Sequence, residues 1–207
     1  NTGTCQYYES FKNSVNYMEL FTGIQGVGPV QAGKIIKEGV KSIVELRERQ
    51  DLLNDKQKMG LKYYEDLIKR IPRSEGKKHE KLMLDTLNEV SNGKASGLVT
   101  GSYRRGVKDS GDIDFLIKIP GDDRKIFNQL IVSLTKKGYL VDNLAYGNTK
   151  YNGICKIGKT CRRVDIMFCP EHEFPFAVFY FTGSGDFNVA FRKMVSEKGY
   201  RLNEHKI

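Results

Sequence analysis

The chain has 207 residues, enough for one large core or for two or three small subdomains. Lysine and arginine outnumber aspartate and glutamate by 34 to 25, so the formal net charge is +9. That excess favours a polyanionic partner, nucleic acid first, although a generic solvated basic surface would carry the same charge. The longest fully apolar stretch, residues 176–181, is far too short to cross a bilayer, and no secretory signal is visible.

The cysteines indicate a reducing compartment. Cys5, Cys155, Cys161 and Cys169 show neither the paired spacing of a metal site nor a dense disulfide pattern. Reduced thiols in an intracellular protein are the simplest interpretation, and we expect no association with a membrane.

Residues up to about 73 have the pattern of helices joined by glycine-containing turns. Apolar residues at helical spacing predict a helix through 61–68, closed by Pro72. Near the start, the run 22–29 reads Thr-Gly-Ile-Gln-Gly-Val-Gly-Pro and opens into a predicted helix at 30–38. Glycines and a helix N-terminus suit close approach to a phosphate, so the run is typical of a helix-hairpin-helix that binds the DNA backbone. A purely structural turn between helices is the alternative.

The later part of the chain changes character twice. A Lys- and Glu-rich helix is predicted at 74–92, followed by short β-branched runs from 97 to 168 with a helix near 123–137. After Pro170 the pattern is helical again, with a break at 182–185. The fold class is therefore α+β, and we expect subdomains at 1–73, 74–171 and 172–207.

A possible catalytic constellation lies at 101–114. Gly101 and Ser102 form a turn whose backbone could approach a phosphate, and arginines follow directly. Asp112 and Asp114 flank one apolar residue, so on a strand they would project from the same face. Side-by-side carboxylates repel unless a cation lies between them, which suggests a divalent metal site for phosphoryl or nucleotidyl transfer. An acidic strand edge beside a surface turn is the alternative.

Asp165 supplies a third carboxylate. It lies in another apolar, strand-like run and could come beside the first pair across a sheet. A buried aspartate paired with Arg162 or Arg163 is the alternative for this residue.

These motifs occur in an order that resembles the family X DNA polymerases, the polymerase beta type most closely. The resemblance runs from about residue 21 to the end. It rests on matches at Gly26–Pro29, Gly60–Tyr64, Lys69–Arg73, Gly101–Gly106, Ser110–Asp114, Arg162–Asp165, Tyr180–Gly183 and Asn203–Glu204. It implies a helix-hairpin-helix subdomain, a nucleotidyltransferase palm with a mixed sheet, and a partial helical nucleotide-binding subdomain.

The resemblance also implies roles for single residues and for ions. Two Mg²⁺ ions, replaceable by Mn²⁺, would be held by Asp112, Asp114 and Asp165, with Asp165 beside the primer 3′-hydroxyl. The triphosphate would meet Arg70, Ser102, Arg105, Ser110 and Gly111; the sugar Tyr180, Phe181 and Gly183; and the base Asn188. DNA would meet Gly26, Gly28, Lys34, Arg163 and Arg192. The carbonyls of Thr22, Ile24 and Val27 would coordinate Na⁺ or K⁺. Independently of the family, Tyr180 and Phe181 could equally be buried core.

Several departures from the family pattern stand out. The first twenty residues leave no room for the family's lyase domain, and Lys12, the one lysine there, matches no motif. We expect the C-terminal subdomain to lack its final elements. Met167 stands where polymerase beta has an arginine, so a salt-bridge switch at that position is not expected, and Gly185 replaces an acidic residue.

The function expected from the resemblance is template-directed synthesis into short gaps, as in base-excision repair. Its substrates would be gapped or nicked DNA and dNTPs, and the protein would be a monomer, nuclear in a eukaryotic cell. The Tyr180–Gly183 run favours this function, because template-independent members carry a different aromatic pair. A nucleotidyltransferase acting on RNA and a non-enzymatic DNA-binding fragment are the alternatives.

Overall fold

The computed structural model describes residues 16–207, which form two compact units, one ending at Ile68 and one beginning at Lys69. The predictions for Cys5 and Lys12 lie outside the described residues. Helices and a five-stranded sheet confirm the α+β class. Between residues 16 and 207, no helix is both long enough and apolar enough to cross a membrane.

The first unit is built from helices joined by short turns. Its helices are α1 (16–22), α2 (Pro29–Lys37), α3 (Ile43–Glu48), α4 (Asp55–Lys62) and α5 (Tyr64–Leu67), with a 3₁₀ turn at Gln50–Leu52. The start of α2 follows the hairpin as predicted, because Gly28 is the extended N-cap and Pro29 suits the first helical turn. The apolar sides of the helices enclose one core, formed by Phe21, Ile24, Val27, Ala32, Ile35, Val40, Leu46, Leu53 and Leu61.

The predicted single helix through 61–68 is wrong. Helix α4 ends at Lys62 and the short α5 follows, so the apolar stripe does not continue on one face. The side chain of Ile68 is 51% exposed and contributes no core. Pro72 does not end a helix; it lies in a strand and directly precedes the long helix of the second unit, where its missing N–H is no loss.

The second unit contains seven strands and five helices of the described chain. The strands are β1 (Ile71–Pro72), β2 (Ser96–Val99), β3 (Asp109–Ser110), β4 (Ile113–Lys118), β5 (Leu140–Tyr146), β6 (Lys150–Ile157) and β7 (Thr160–Cys169). The helices are α6 (Arg73–Ser91), α7 (Gly101–Arg104), α8 (Arg124–Lys136), α9 (Phe174–Thr182) and α10 (Gly185–Glu197). The predicted helices near 74–92 and 123–137 and the break at 182–185 are all confirmed.

The strands form a two-stranded ribbon and a larger sheet. Strands β1 and β3 pair antiparallel, while the larger sheet has the order β2-β4-β7-β6-β5. Only the central pair, β4 and β7, is parallel; the other neighbours are antiparallel. Parallel pairing places the same ends of β4 and β7 together, which matters for the carboxylates described below.

Both faces of the larger sheet are covered, one by the main core and the other by a smaller apolar cluster. Alternate residues of β4 and β7, such as Phe115 and Ile166, join the main core together with α6 and α8. The opposite face carries a smaller cluster of Leu116, Met167, Cys169 and Ala177, against which α9 packs. Met167 is 5% exposed, so the position that departs from the family pattern is apolar core. Cys155, Cys161 and Cys169 are buried free thiols.

Candidate active site

Two carboxylates lie side by side at the centre of the larger sheet. Asp114 of β4 is the direct register partner of Asp165 of β7. Because side chains alternate along a strand, both project on the face that carries Leu116 and Met167, away from the main core. The predicted pairing of Asp165 with the first carboxylates across a sheet is therefore present for Asp114.

Asp112 is positioned differently from its two partners. It lies just before β4, and its carboxylate accepts a short charge-assisted hydrogen bond from the guanidinium of Arg163. The same Arg163 nitrogen lies 3.8 Å from an oxygen of Asp165. Arg163, predicted as a DNA contact, thus lies between two of the three carboxylates and partly balances their charge.

The surroundings of Asp114 disfavour the charged form of its carboxyl group. Burial, together with the negative charge of Asp165, raises the pKa of the Asp114 carboxyl to about 6. The ammonium of Lys150 acts in the opposite direction. A carboxylate that is both desolvated and close to a second carboxylate gains most from a cation.

A glycine allows the turn at the start of α7 to approach the Asp114 carboxylate closely. A Cβ on Gly101 would lie 2.6 Å from the Asp114 Oδ2 atom, closer than any real Cβ contact. Gly101 also has φ of +58°, a left-handed conformation that side chains disfavour. The backbone N–H of Thr100 donates to the Asp114 carbonyl at 2.8 Å, which fixes the turn against the strand. Ser102, next in α7, is half-buried beside this turn.

The residue types at this site suit a divalent cation, but their side chains do not converge on one point. Within residues 16–207, no three His, Cys, Asp or Glu side chains converge in a set that would hold a metal ion. The Asp112 carboxylate is engaged by Arg163. Asp114 and Asp165 nevertheless present paired carboxylates, and carboxylate oxygens are ligands that Mg²⁺ prefers.

A second group of predicted residues surrounds the β1–β3 ribbon. Arg70 donates from Nε to the Asp109 carboxylate at 2.8 Å and from Nη2 to the Asp109 carbonyl at 3.1 Å. Ser110 pairs with Ile71 across the ribbon and is buried. A Cβ on Gly111 would lie 3.1 Å from an Arg70 guanidinium nitrogen, so the glycine permits this close approach. Ser110 and Gly111 immediately precede Asp112 in the chain.

Arg105 connects the turn after α7 to the end of α9. Its Nη1 donates to the Thr182 carbonyl at 2.6 Å. A Cβ on Gly183, which has φ of +68°, would lie 3.1 Å from the same nitrogen. The Gly183–Ser184 peptide bond is cis. The structure therefore brings Arg105 and Gly183 together, although 77 residues separate Arg105 from Thr182.

The two aromatic side chains Tyr180 and Phe181 pack differently. Phe181 packs against the Leu116–Met167 cluster, while the half-buried Tyr180 meets the Phe181 ring edge-on with centroids 5.4 Å apart. Asn188 donates from Nδ2 to the Tyr180 carbonyl at 2.8 Å. The Oδ1 atom of Asn188 is buried and accepts no hydrogen bond from the described residues. Such an acceptor is available to a ligand.

Arg192 lies one turn after Asn188 on α10 and is exposed. It borders an open groove of about 580 Å³ together with Lys193, Tyr200 and Arg201. Three cations and one aromatic side chain give this groove the composition of a nucleic-acid contact surface.

In the first unit, the hairpin presents its backbone outwards. Gly26 and Gly28 are exposed, as is the side chain of Lys34 on α2. The side chains of Ile24 and Val27 are buried, and the Ile24 carbonyl already accepts a hydrogen bond from the Val27 N–H at 2.9 Å.

Further contacts fix the geometry of this hairpin. Thr22 bonds back through its hydroxyl to the Met18 carbonyl at 2.7 Å. Gly60 of α4 lies so close that its Cβ would be 2.1 Å from the Gln25 carbonyl oxygen, so only glycine fits there.

Two residues with functional geometry escaped the sequence prediction. Gln57 forms a capping box with Asn54 and also donates to the Gly26 carbonyl at 3.0 Å, which secures the hairpin. Asn152 of β6 donates from Nδ2 to Asp165 Oδ1 at 2.5 Å. A polar residue between apolar neighbours in a strand was a signal for Asn152, but its register against Asp165 was not readable from the sequence.

Comparison with known proteins identifies the family to which the chain belongs. Three family models match successive parts of the chain: the fingers domain of DNA polymerase lambda over 19–68, the DNA polymerase beta palm over 70–171, and the DNA polymerase beta thumb over 177–207. The chain therefore belongs to the family X DNA polymerases.

Whole-chain relatives point to the same family. DNA polymerase lambda of Rattus norvegicus is 34% identical over 217 residues, which cover 100% of this chain and 37% of the relative. DNA polymerase lambda of Arabidopsis thaliana is 31% identical over 219 residues, covering 98% of this chain and 41% of the relative. The chain thus spans about two fifths of the length of these relatives.

Proposed function

We propose that the protein is a template-directed DNA polymerase that adds dNTPs to a primer 3′-hydroxyl in short DNA gaps. The observation that carries this proposal is the direct opposition of Asp114 and Asp165 on parallel strands, with the Gly101 turn in close contact with Asp114. Membership of the family X DNA polymerases supports the same chemistry. Gap filling of this kind serves base-excision repair.

The three carboxylates would hold two Mg²⁺ ions, with Mn²⁺ as a substitute. When bound, these ions lower the pKa of the attacking hydroxyl and balance the charge that develops on the phosphates. Asp114 and Asp165 already lie together, whereas metal binding at Asp112 would replace its ion pair with Arg163. Asp165 would lie beside the primer 3′-hydroxyl and orient it.

The incoming nucleotide would be held by residues of both the ribbon and the turn. Positive charge from the guanidinium groups would bind the triphosphate, together with backbone and hydroxyl donors. These residues are Arg70, Ser102, Arg105, Ser110 and Gly111. The sugar would lie along Tyr180, Phe181 and Gly183, and the unpaired Oδ1 atom of Asn188 would be available to the base.

DNA would be bound mainly through its backbone. In the hairpin, the carbonyls of Thr22, Ile24 and Val27 would coordinate Na⁺ or K⁺, and this ion would bridge to a DNA phosphate. Gly26, Gly28 and Lys34 would contact the same DNA strand. Arg192 would contact the template side. Arg163 would reach DNA only after leaving Asp112, since its guanidinium is occupied there.

The proposal also covers the subdomain bounds, the oligomeric state and the cellular compartment. We propose functional subdomains at 1–73, 74–171 and 172–207, acting as a monomer on gapped or nicked DNA. For a eukaryotic source the substrate places this work in the nucleus.

Primer extension on one-nucleotide-gapped DNA tests the proposal. The protein should insert the complementary dNTP in the presence of Mg²⁺ or Mn²⁺ and should stop inserting when the metal is chelated. Insertion that ignores the template base would contradict template direction. Extension of RNA, or binding to DNA with no extension under any metal, would favour the alternative functions instead.

A further inference from the structure

Asn152 holds one oxygen of the third carboxylate. It lies on β6, directly opposite Asp165 of β7, and its Nδ2 atom lies 2.5 Å from Asp165 Oδ1. A carboxylate can only accept, so the amide must be the donor. The nearest cation, Arg163, lies 3.8 Å from the other oxygen, Oδ2.

Backbone pairing places Asn152 opposite its partner. Strand β6 is paired on both sides, with β7 through Asp165 and with β5 through Ala145, next to a register shift of β5 between Asn143 and Ala145. The hydrogen bond from the amide to Oδ1 then sets the direction in which the Asp165 carboxylate points.

The chemistry of the donor matters as much as its position. A guanidinium at this site would balance the charge of Asp165 and compete with a cation or a polarised hydroxyl for it. The neutral amide of Asn152 orients the carboxylate and leaves its full negative charge in place. One oxygen is thereby occupied, while the second, Oδ2, accepts no hydrogen bond from Asn152 and lies 3.8 Å from the Arg163 guanidinium.

We infer that Asn152 is a positioning residue for Asp165 in nucleotidyl transfer, an inference that rests on the function proposed above. Asn152 does not touch substrate; it holds the carboxylate that does. Without it, the Asp165 side chain is free to rotate, and Arg163 is close enough to capture it. Groups that orient a ligand carboxylate typically change metal affinity or activity by roughly 10- to 100-fold when removed.

Single-turnover insertion with two variants and a control tests the inference. Asn152→Leu removes the donor while keeping a similar volume, and Asn152→Gln keeps a carboxamide on a longer arm. Asn143→Ala alters an exposed residue on the neighbouring strand β5. The Leu variant should lose roughly 10- to 100-fold in maximal insertion rate with unchanged dNTP affinity. The Gln variant should recover part of that loss, and Asn143→Ala should match the wild type.

Mn²⁺ binding gives a readout that does not depend on turnover. Electron paramagnetic resonance titration of a complex with dideoxy-terminated gapped DNA and dNTP should show weaker Mn²⁺ binding for Asn152→Leu. Equal insertion rates and equal Mn²⁺ affinities for wild type and Asn152→Leu would overturn the inference. So would a loss that thermal unfolding shows to be global destabilisation, with dNTP affinity falling in parallel.

A direct test of the hydrogen bond separates this inference from the proposed function. In ¹⁵N-labelled protein without DNA or metal, the side-chain amide resonance of Asn152 should move on Asp165→Ala and stay in place on Asp85→Ala. If the resonance moves but the wild type synthesises no DNA, the proposed function fails and the contact stands. If the wild type polymerises but the resonance is indifferent to Asp165→Ala, the inference fails alone.

Discussion

Asp114 and Asp165 are register partners on the parallel strands β4 and β7, although α8, β5 and β6 lie between them in the chain. The pairing places two carboxylates on one face of a sheet, where burial opposes the charge of Asp114. Burial and Asp165 together raise the pKa of Asp114 to about 6. A fold that keeps such a pair gains from a cation, which is the physical basis of the proposed nucleotidyl transfer.

The close approach of the Gly101 turn to Asp114 can be tested by substituting two glycines. Gly101 and Gly106 both have positive φ, so alanine at either position costs backbone strain of about 1 kcal/mol or more. Only at Gly101 does the new Cβ meet the Asp114 carboxylate, whereas nothing lies within 4 Å at Gly106. Gly101→Ala should therefore reduce insertion well below Gly106→Ala at a comparable loss of stability. Equal insertion rates in the two variants would show that the contact between Gly101 and Asp114 is not part of the active site.

DNA binding should be directed mainly to the backbone. Affinity for gapped DNA should fall steeply between low and moderate salt and vary little with sequence, because phosphate contacts release counterions. Lys34→Ala should reduce the slope of log affinity against log salt by about 1, and Lys81→Ala, whose ammonium is paired with Asp85, should not. Fluorescence anisotropy over a salt series measures both slopes. Strong sequence dependence, or an unchanged slope for Lys34→Ala, would contradict the hairpin assignment.

Sugar discrimination tests the placement of Tyr180. If Tyr180 packs along the deoxyribose, a 2′-hydroxyl must displace the triphosphate, and misplacement by about 1 Å can cost on the order of a hundredfold in rate. Tyr180→Ala should therefore raise rNTP use relative to dNTP. Phe181→Ala is the matched comparison, because Phe181 packs in the apolar cluster and should lose stability first. An unchanged dNTP/rNTP ratio in Tyr180→Ala would remove Tyr180 from the site.

His79 should make the fold sensitive to acid. It is fully buried, with Nδ1 2.9 Å from the Tyr139 hydroxyl and Nε2 3.6 Å from a Glu75 oxygen. Burial lowers the pKa of His79 to about 4, while Glu75 opposes the shift and Arg162 adds to it. The unfolded chain takes up the proton first, so this stability is present above pH 6.5 and is lost as the pH falls towards 4.

The shift corresponds to roughly 3 kcal/mol across that window. Urea unfolding of wild type and His79→Gln at pH 7 and pH 4.5 measures it. The wild type should lose more stability than the variant between the two pH values, because Glu75 titrates in both proteins. Parallel losses would show that His79 is not the group responsible.

Much of this arrangement could be read from the sequence, but its register could not. Local patterns predicted the hairpin before α2, the long α6 and α8, and the break between α9 and α10, because caps, glycines and apolar spacing act over a few residues. The helix through 61–68 failed because its periodicity continued past the break after Lys62. The partner of Asp165 depends on how distant strands pair. Asn152 and the Arg163 ion pair became visible only with that pairing.

The central claim is that Asp165 acts in nucleotidyl transfer on DNA and is not a structural partner of arginine. Single-turnover insertion into a one-nucleotide gap, with Asp165→Ala beside the exposed control Asp85→Ala, tests it most directly. Asp165→Ala should abolish insertion while its affinity for gapped DNA stays at the wild-type level, because losing a metal ligand removes several kcal/mol of transition-state stabilisation. Asp85→Ala should insert at the wild-type rate. Comparable insertion by wild type and Asp165→Ala would contradict the account.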